Sequence, residues 1–302
     1  MIVVTTPTGA VGRRVLTGVL DAGEQVRVIA RNPSRLPFGV RDRVEVVPGS
    51  HRDAEVVDRA FDGAEAVFWL VPPDPAAAVV DEAFTGFTRA ACAAFVRRGV
   101  RRVVGVSALG RGFTASAGLA TASLAMDDLI TGTGVDYRAL TMPAFMENLL
   151  GQAALIRERG EFYSLIDGDR RLPTVAARDV AAAATGLLLD RDWHGQGEVP
   201  LLGPEDLSFH RTAAVISEVV GRPVQYRQLS AEAFRAVMTG VGMSEAMALA
   251  TAEMLLAKNR GLDELVPRTA ESATPTHFRS WCAEVLRPAL AAADNSARLG
   301  IL

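Results

Sequence analysis

The first fifteen residues, MIVVTTPTGAVGRRV, constrain this chain more than any other stretch. Ile2 to Thr5 suit a buried strand, Thr6-Pro7-Thr8-Gly9 a tight turn, and Ala10 onward a helix. A helix start leaves backbone N–H groups free and carries a partial positive charge, so such a turn is suited to a pyrophosphate. Gly9 lets the backbone approach a ligand, and Gly12 lets the helix lie close on the strand. In a G-x-x-G-x-x-G spacing, Thr6 stands where the first glycine belongs. The expected phosphate seat is Thr6, Thr8, Gly9, Ala10, Val11 and Gly12.

The second strand narrows the ligand. Val26 to Ala30 reads as an apolar strand ending at Arg31-Asn32-Pro33-Ser34-Arg35. An NAD site carries an acid about 20 residues beyond the glycines to take the ribose 2'-hydroxyl. Arg31 occupies that position, and no acid lies between Val26 and Arg41. Arg31 with Arg35, joined by Arg13, would instead clamp a 2'-phosphate through charge-assisted hydrogen bonds. The pattern predicts NADPH in preference to NADH.

Strand and helix then alternate, which predicts a parallel sheet covered on both faces. Val44 to Pro48, Ala66 to Val71, Arg102 to Ser107 and Asp136 to Met142 read as strands, with helices between them. Ligands bind at the carboxyl ends of such strands. That rule selects the first turn, Arg31, Val71 to Pro73, Ser107 to Gly112 and Met142 to Asn148. A net charge of -3 gives no electrostatic case for nucleic acid or a membrane surface. Cys92 and Cys282 lie far apart, and no histidines share a metal-ligand spacing, so neither a disulfide nor a metal site is expected. The chain opens directly on a strand and has no apolar run long enough to span a bilayer, so it is expected in the cytoplasm.

TTPTGAVG, VRVIARNPSRL, AVFWLVPP, VVGVSALG and VDYRALTMPAFMENLL together resemble the NmrA-like branch of the atypical short-chain dehydrogenases/reductases. DLSFHRTAAVISEVVGRPVQY and ATPTHFRSW resemble that family's substrate-side segments, so the likeness covers nearly the whole chain. It implies a Rossmann-type, doubly wound parallel sheet with a smaller, mostly helical C-terminal substrate domain. The boundaries expected are 1–150, joined by parts of 172–205, for the NADP-binding domain and 151–302 for the substrate side. The resemblance assigns Thr8, Gly9 and Gly12 to the phosphate turn and Arg31 to the 2'-phosphate. Val71 and Pro72 match the loop past adenine and ribose, and Ser107 the strand end beside the nicotinamide. Pro143, Phe145, Met146 and Asn148 match the segment closing over the nicotinamide and facing substrate.

Three departures stand out. Thr6 replaces the first glycine, Gly49-Ser50 stands where relatives have Gly-Asp, and the helix Ser116 to Thr131 lacks the Tyr-Lys pair that moves a proton in this superfamily. Ser107 and Ser123 are the candidate proton-handling groups, while Asp127-Asp128 reads mainly as a solvated pair. His51, near a strand end, falls on the adenine side. Trp69, Phe113, Met142, Phe145 and Met146 suggest an apolar mouth for a bulky, flat substrate. Met238, Met243, Met247 and Met254 could add an adaptable wall or serve as core. Pro275 to Leu286 is expected to form the last helix, stopped by Pro288, with a loose tail from Ala291 to Leu302. The reading is an NADPH-dependent reductase of a conjugated or aromatic carbonyl, a quinone or polyketide-like intermediate of natural-product biosynthesis, acting as a monomer or homodimer. Two alternatives stay open: an NADP-binding sensor without turnover, and a cofactor-free isomerase, cyclase or lyase on the same fold.

Overall fold

The computed structural model describes residues 1–292, and the tail 293–302 lies outside the described residues. The chain forms two compact units. Residues 1–108, 121–141 and 180–199 make the first, and 109–120, 142–179 and the chain from Pro200 onward make the second.

In the first unit the strands are β1 Ile2–Val4, β2 Val26–Ala30, β3 Glu45–Pro48, β4 Ala66–Trp69, β5 Arg102–Ala108 and β6 Asp136–Met142. The helices between them are α1 Gly12–Asp21, α2 Phe38–Arg41, α3 Ala54–Ala60, α4 Phe87–Arg98 and α5 Leu119–Thr131. The seven-stranded sheet runs Gln196–Pro200, β6, β5, β4, β1, β2, β3. β1 lies parallel between β2 and β4, with Ile2 opposite Val26 on one side and Ala66 on the other. Both faces are covered, so β1 and β4 are buried at every position and read as unbroken apolar runs. The strand order reverses direction at β1, the point where a doubly wound sheet opens a crevice at its carboxyl edge. Gln196–Pro200 takes the sheet edge, where Pro200 costs no ladder bond.

The second unit has its own core, in which Met146, Ile156, Phe162, Ile216, Tyr226, Phe278 and Trp281 pack together. A parallel pair, Glu161–Ser164 with Gln225–Gln228, forms where Phe162 and Tyr226 bury against each other and bring the two backbones into register. Ser208, Ser230 and Ser244 each cap a helix by accepting from the N–H three residues on. The last helix does not stop at Pro288. A π-turn over Cys282–Leu286 leads into Arg287–Ala291, whose first turn accepts proline because its N–H would be unpaired there anyway.

Candidate active site

The turn after β1 keeps the geometry of a phosphate seat without its first glycine. Thr6 has φ of 49°, the sole non-glycine residue with positive φ among the described residues. Its carbonyl accepts from Gly9 N–H at 2.9 Å, and a Cβ at Gly12 would overlap that same oxygen. Gly12 is therefore required for α1 to start on top of the turn. α1 begins two residues later than the sequence suggested and has no side-chain cap at Val11; Arg13 and Arg14 N–H are taken by Gly9 O and Val11 O. Thr5 closes the turn from beneath: its hydroxyl donates to Phe68 O at 2.9 Å and accepts from Leu70 N–H at 3.0 Å.

The register Val4 opposite Val28 sets the end of β2 beside this turn. Arg31 and Arg35 follow, both exposed, and neither is held by an acid among the described residues. Asn32 stiffens the segment by accepting from Ser34 N–H and Ser34 Oγ. Below them His51 is buried, its ring edge-on to Trp69 and Phe87 with centroids 5.2 and 4.7 Å away. Its Nε2 donates to Leu70 O at 3.0 Å. Burial pushes the imidazole down to about 4, the Leu70 bond opposes this, and the charge of Arg31 adds to it. His51 is thus a neutral prop under the end of β4.

Ser107 and Ser123 do come together, within a network the sequence reading missed. Ser107 Oγ lies 3.3 Å from Ser123 Oγ and donates to Asp127 Oδ2, while Tyr137 O–H donates to Asp127 Oδ1 at 2.6 Å. Asp127 is 1% exposed, so the expectation of a solvated carboxylate is corrected. Ser123 and Asp127 share the inner face of α5 because residues four apart align on a helix. Tyr137 reaches Asp127 across β5 only because residue 105 is glycine; a Cβ there would overlap its hydroxyl. The tyrosine therefore gives its proton to a carboxylate and has no lysine to activate it. The chain's single lysine, Lys258, is buried in the second unit and paired with Asp263 at 2.6 Å.

Several expected substrate residues are core. Trp69 is 0% exposed, with Nε1 donating to Thr88 Oγ1 at 3.2 Å and its ring among His51, Phe61 and Phe95. The position faces inward because β4 is buried on both sides. Met146 belongs to the second unit's core, and Met142, Met238, Met243 and Met247 are buried too. Phe113, Phe145 and Asn148 keep part of their surface, and the Arg260 guanidinium sits 5.9 Å from the Phe113 ring centroid. Val71 and Pro143 are buried while Pro72 is exposed. Glu147, not singled out in the sequence, accepts from Ala177 N–H at 3.0 Å and Trp281 Nε1 at 3.1 Å and so fixes the segment carrying Phe145 and Asn148. Cys92 and Cys282 are free and buried, their thiols pushed up to about 12 and about 11 by desolvation.

A family model described as NAD(P)H-binding matches residues 7–191. The chain belongs to this NAD(P)H-binding family. Within it the chain falls in the NmrA-like, atypical short-chain dehydrogenase/reductase group. It is 34% identical to (4-alkanoyl-5-oxo-2,5-dihydrofuran-3-yl)methyl phosphate reductase of Streptomyces griseus subsp. griseus, over 94% of this chain and 97% of that protein. It is 28% identical to the NAD(P)H azoreductase of Xenophilus azovorans, over 84% and 86%. Among solved structures, an NADPH-dependent quinone oxidoreductase of Escherichia coli complexed with NADPH shares the fold with a TM-score of 0.78 at 22% identity, covering 94% of this chain and 99% of that one.

The NAD(P)H-binding assignment agrees with the chemistry of the residues present. A helix start with no side-chain cap, beside two guanidinium groups that no acid holds among the described residues, suits an anion with several phosphates. Thr6 takes up the left-handed backbone a glycine would supply, so the turn keeps its shape. Among the described residues no cluster of histidine, cysteine and carboxylate groups could hold a metal, and no helix is long and apolar enough to cross a membrane.

Proposed function

We propose that this NAD(P)H-dependent oxidoreductase uses NADPH in preference to NADH to reduce a flat, conjugated acceptor of the quinone, azo or unsaturated-carbonyl class. The observation that carries the cofactor preference is Arg31 at the end of β2, exposed, without an acid partner, and one strand away from the phosphate turn. Arg35, and Arg13 on the first turn of α1, would complete the clamp on the 2'-phosphate. The amides of Thr8, Ala10, Val11 and Gly12 would take the pyrophosphate, with Gly9, whose own N–H closes the turn on Thr6 O, letting the backbone come close, Val71 and Pro72 alongside the adenosine and Pro143 near the nicotinamide. The bound cofactor supplies a hydride. Ser107 at the end of β5 and Ser123 opposite it on α5 are the pair proposed to lie beside that chemistry.

The acceptor class follows from what the site lacks. A simple ketone needs a proton delivered as the hydride arrives, and no lysine-assisted tyrosine is available here. A quinone, azo group or unsaturated lactone spreads the incoming charge over a conjugated system. One hydride and one proton from solvent then complete the two-electron reduction, and the protein's contribution is orientation. Phe113, Phe145 and Asn148 are the partly exposed residues proposed to meet the acceptor. The relatives' named substrates, a furanone phosphate and azo compounds, are conjugated in this sense.

The test is NADPH oxidation followed by absorbance with a quinone, an azo dye and an unsaturated lactone, each repeated with NADH. Turnover of at least one acceptor, faster with NADPH, is expected. Tight NADPH binding with no turnover of any of the three would favour the second reading, a redox sensor, for which the absence of lysine from the first unit is the supporting observation.

A further inference from the structure

Ser107 sits at the end of β5 with a trace of exposed surface, and its bonding fixes which way it can speak to a ligand. A serine hydroxyl has one proton and two lone pairs. The proton goes to Asp127 Oδ2, and Ser123 Oγ lies 3.3 Å away on the other side. Two hydroxyls, those of Ser107 and Tyr137, donate to the two oxygens of the Asp127 carboxyl group. The group is 1% exposed, so both bonds are sheltered from competing water. Gly105 is part of the same device, since the missing Cβ is what lets Tyr137 hold the far oxygen.

A Ser107 tied in this way has no proton to give. What it offers outward is a lone pair. We infer that Asp127 is a positioning residue that fixes Ser107 as a hydrogen-bond acceptor for the carboxamide NH2 of the nicotinamide ring, so that Ser107 orients the cofactor and does not protonate the substrate. The inference rests on the NADPH reading above, and of the two roles expected for Ser107 it keeps cofactor recognition and drops proton handling. Ser123 supports the arrangement by donating to the second lone pair of Ser107. The proton that completes the reduction then comes from solvent at the acceptor, as the conjugated substrate class allows.

The test compares binding of NADPH with that of its reduced 3-acetylpyridine analogue, in which a methyl group replaces the carboxamide NH2 and the carbonyl is kept. Dissociation constants are measured by calorimetry on the full chain, so no acceptor and no turnover are needed. One hydrogen bond in a sheltered site corresponds to about a five- to tenfold preference for NADPH in the unaltered protein. In Ser107→Ala that preference should vanish, while a merely structural disturbance would weaken both cofactors alike and leave the ratio in place. Asp127→Asn gives a second reading: its amide can donate to Ser107 and turn the hydroxyl outward, so the preference should vanish or reverse. If Asp127→Asn does not fold, Ser107→Ala alone decides. An unchanged ratio in Ser107→Ala overturns the inference. Failure of the unaltered protein to bind either cofactor would instead sink the NADPH reading, and the inference with it, and the two failures are distinguishable by that control.

Discussion

Replacing Thr6 by glycine should stabilise this protein, although it removes a side chain from a structured turn. Thr6 holds φ of 49°, a region that costs a residue with a Cβ about 1–2 kcal/mol, and a β-branched one the upper end of that range. Its Oγ1 is buried without a hydrogen-bond partner, a further cost of about 1 kcal/mol or more. Glycine removes both costs and adds about 0.5–1 kcal/mol of lost chain entropy. The net gain should be about 1–2 kcal/mol, seen as an upward shift of a few degrees in Tm by calorimetry. Thr6→Ala separates the contributions, since it removes the hydroxyl and keeps the Cβ, and should recover about half of the gain. A Tm for Thr6→Gly at or below that of Thr6→Ala would refute the reasoning, because the backbone would then not be the source of the strain.

Three further outcomes follow from other parts of the site. Thr5→Val keeps the shape of the side chain but leaves Leu70 N–H without its acceptor, while Phe68 O keeps the Thr5 backbone N–H, and should cost about 1–3 kcal/mol in urea denaturation. For His51 the folded value of about 4 lies below the ordinary 6.5, so between those pH values the unfolded chain takes up a proton that the folded chain refuses. Its contribution is intact above pH 6.5 and is lost as pH falls toward 4, by about 3 kcal/mol in all, and His51→Gln should flatten the stability profile across that window. Gly12→Ala would drive a Cβ into Thr6 O, so its NADPH affinity should fall at least tenfold, read by calorimetric titration.

The sheet and its order were legible because burial on both faces leaves an unmistakable run such as Ala66 to Trp69, and because the turn at Gly9 to Gly12 marks where the first helix must begin. The shape of the turn after β1 was legible for the same reason: backbone geometry writes itself into glycine spacing. The polar interior was not. Asp127 and Tyr137 are brought together from a helix and a strand, and nothing in Met126-Asp127-Asp128-Leu129 says which aspartate faces inward. Gly105, in the middle of a strand, was the one available sign that a neighbouring side chain crosses there. Trp69 misled because an aromatic residue near a strand's carboxyl end reads alike whether it lines a pocket or fills the core. The partners of His51, Leu70 O and the rings of Trp69 and Phe87, were not legible because they come from eighteen or more residues away.

The central claim is that the turn after β1 and the arginines after β2 form one NADPH site. Calorimetric titration of the purified chain with NADPH and with NADH, repeated on Arg31→Ala, tests it directly. The account predicts that NADPH binds more tightly than NADH and that the variant loses about ten- to a hundredfold in NADPH affinity, the worth of a charge-assisted hydrogen bond to phosphate, with NADH affected little. Equal affinity for both cofactors, unchanged by Arg31→Ala, would contradict it.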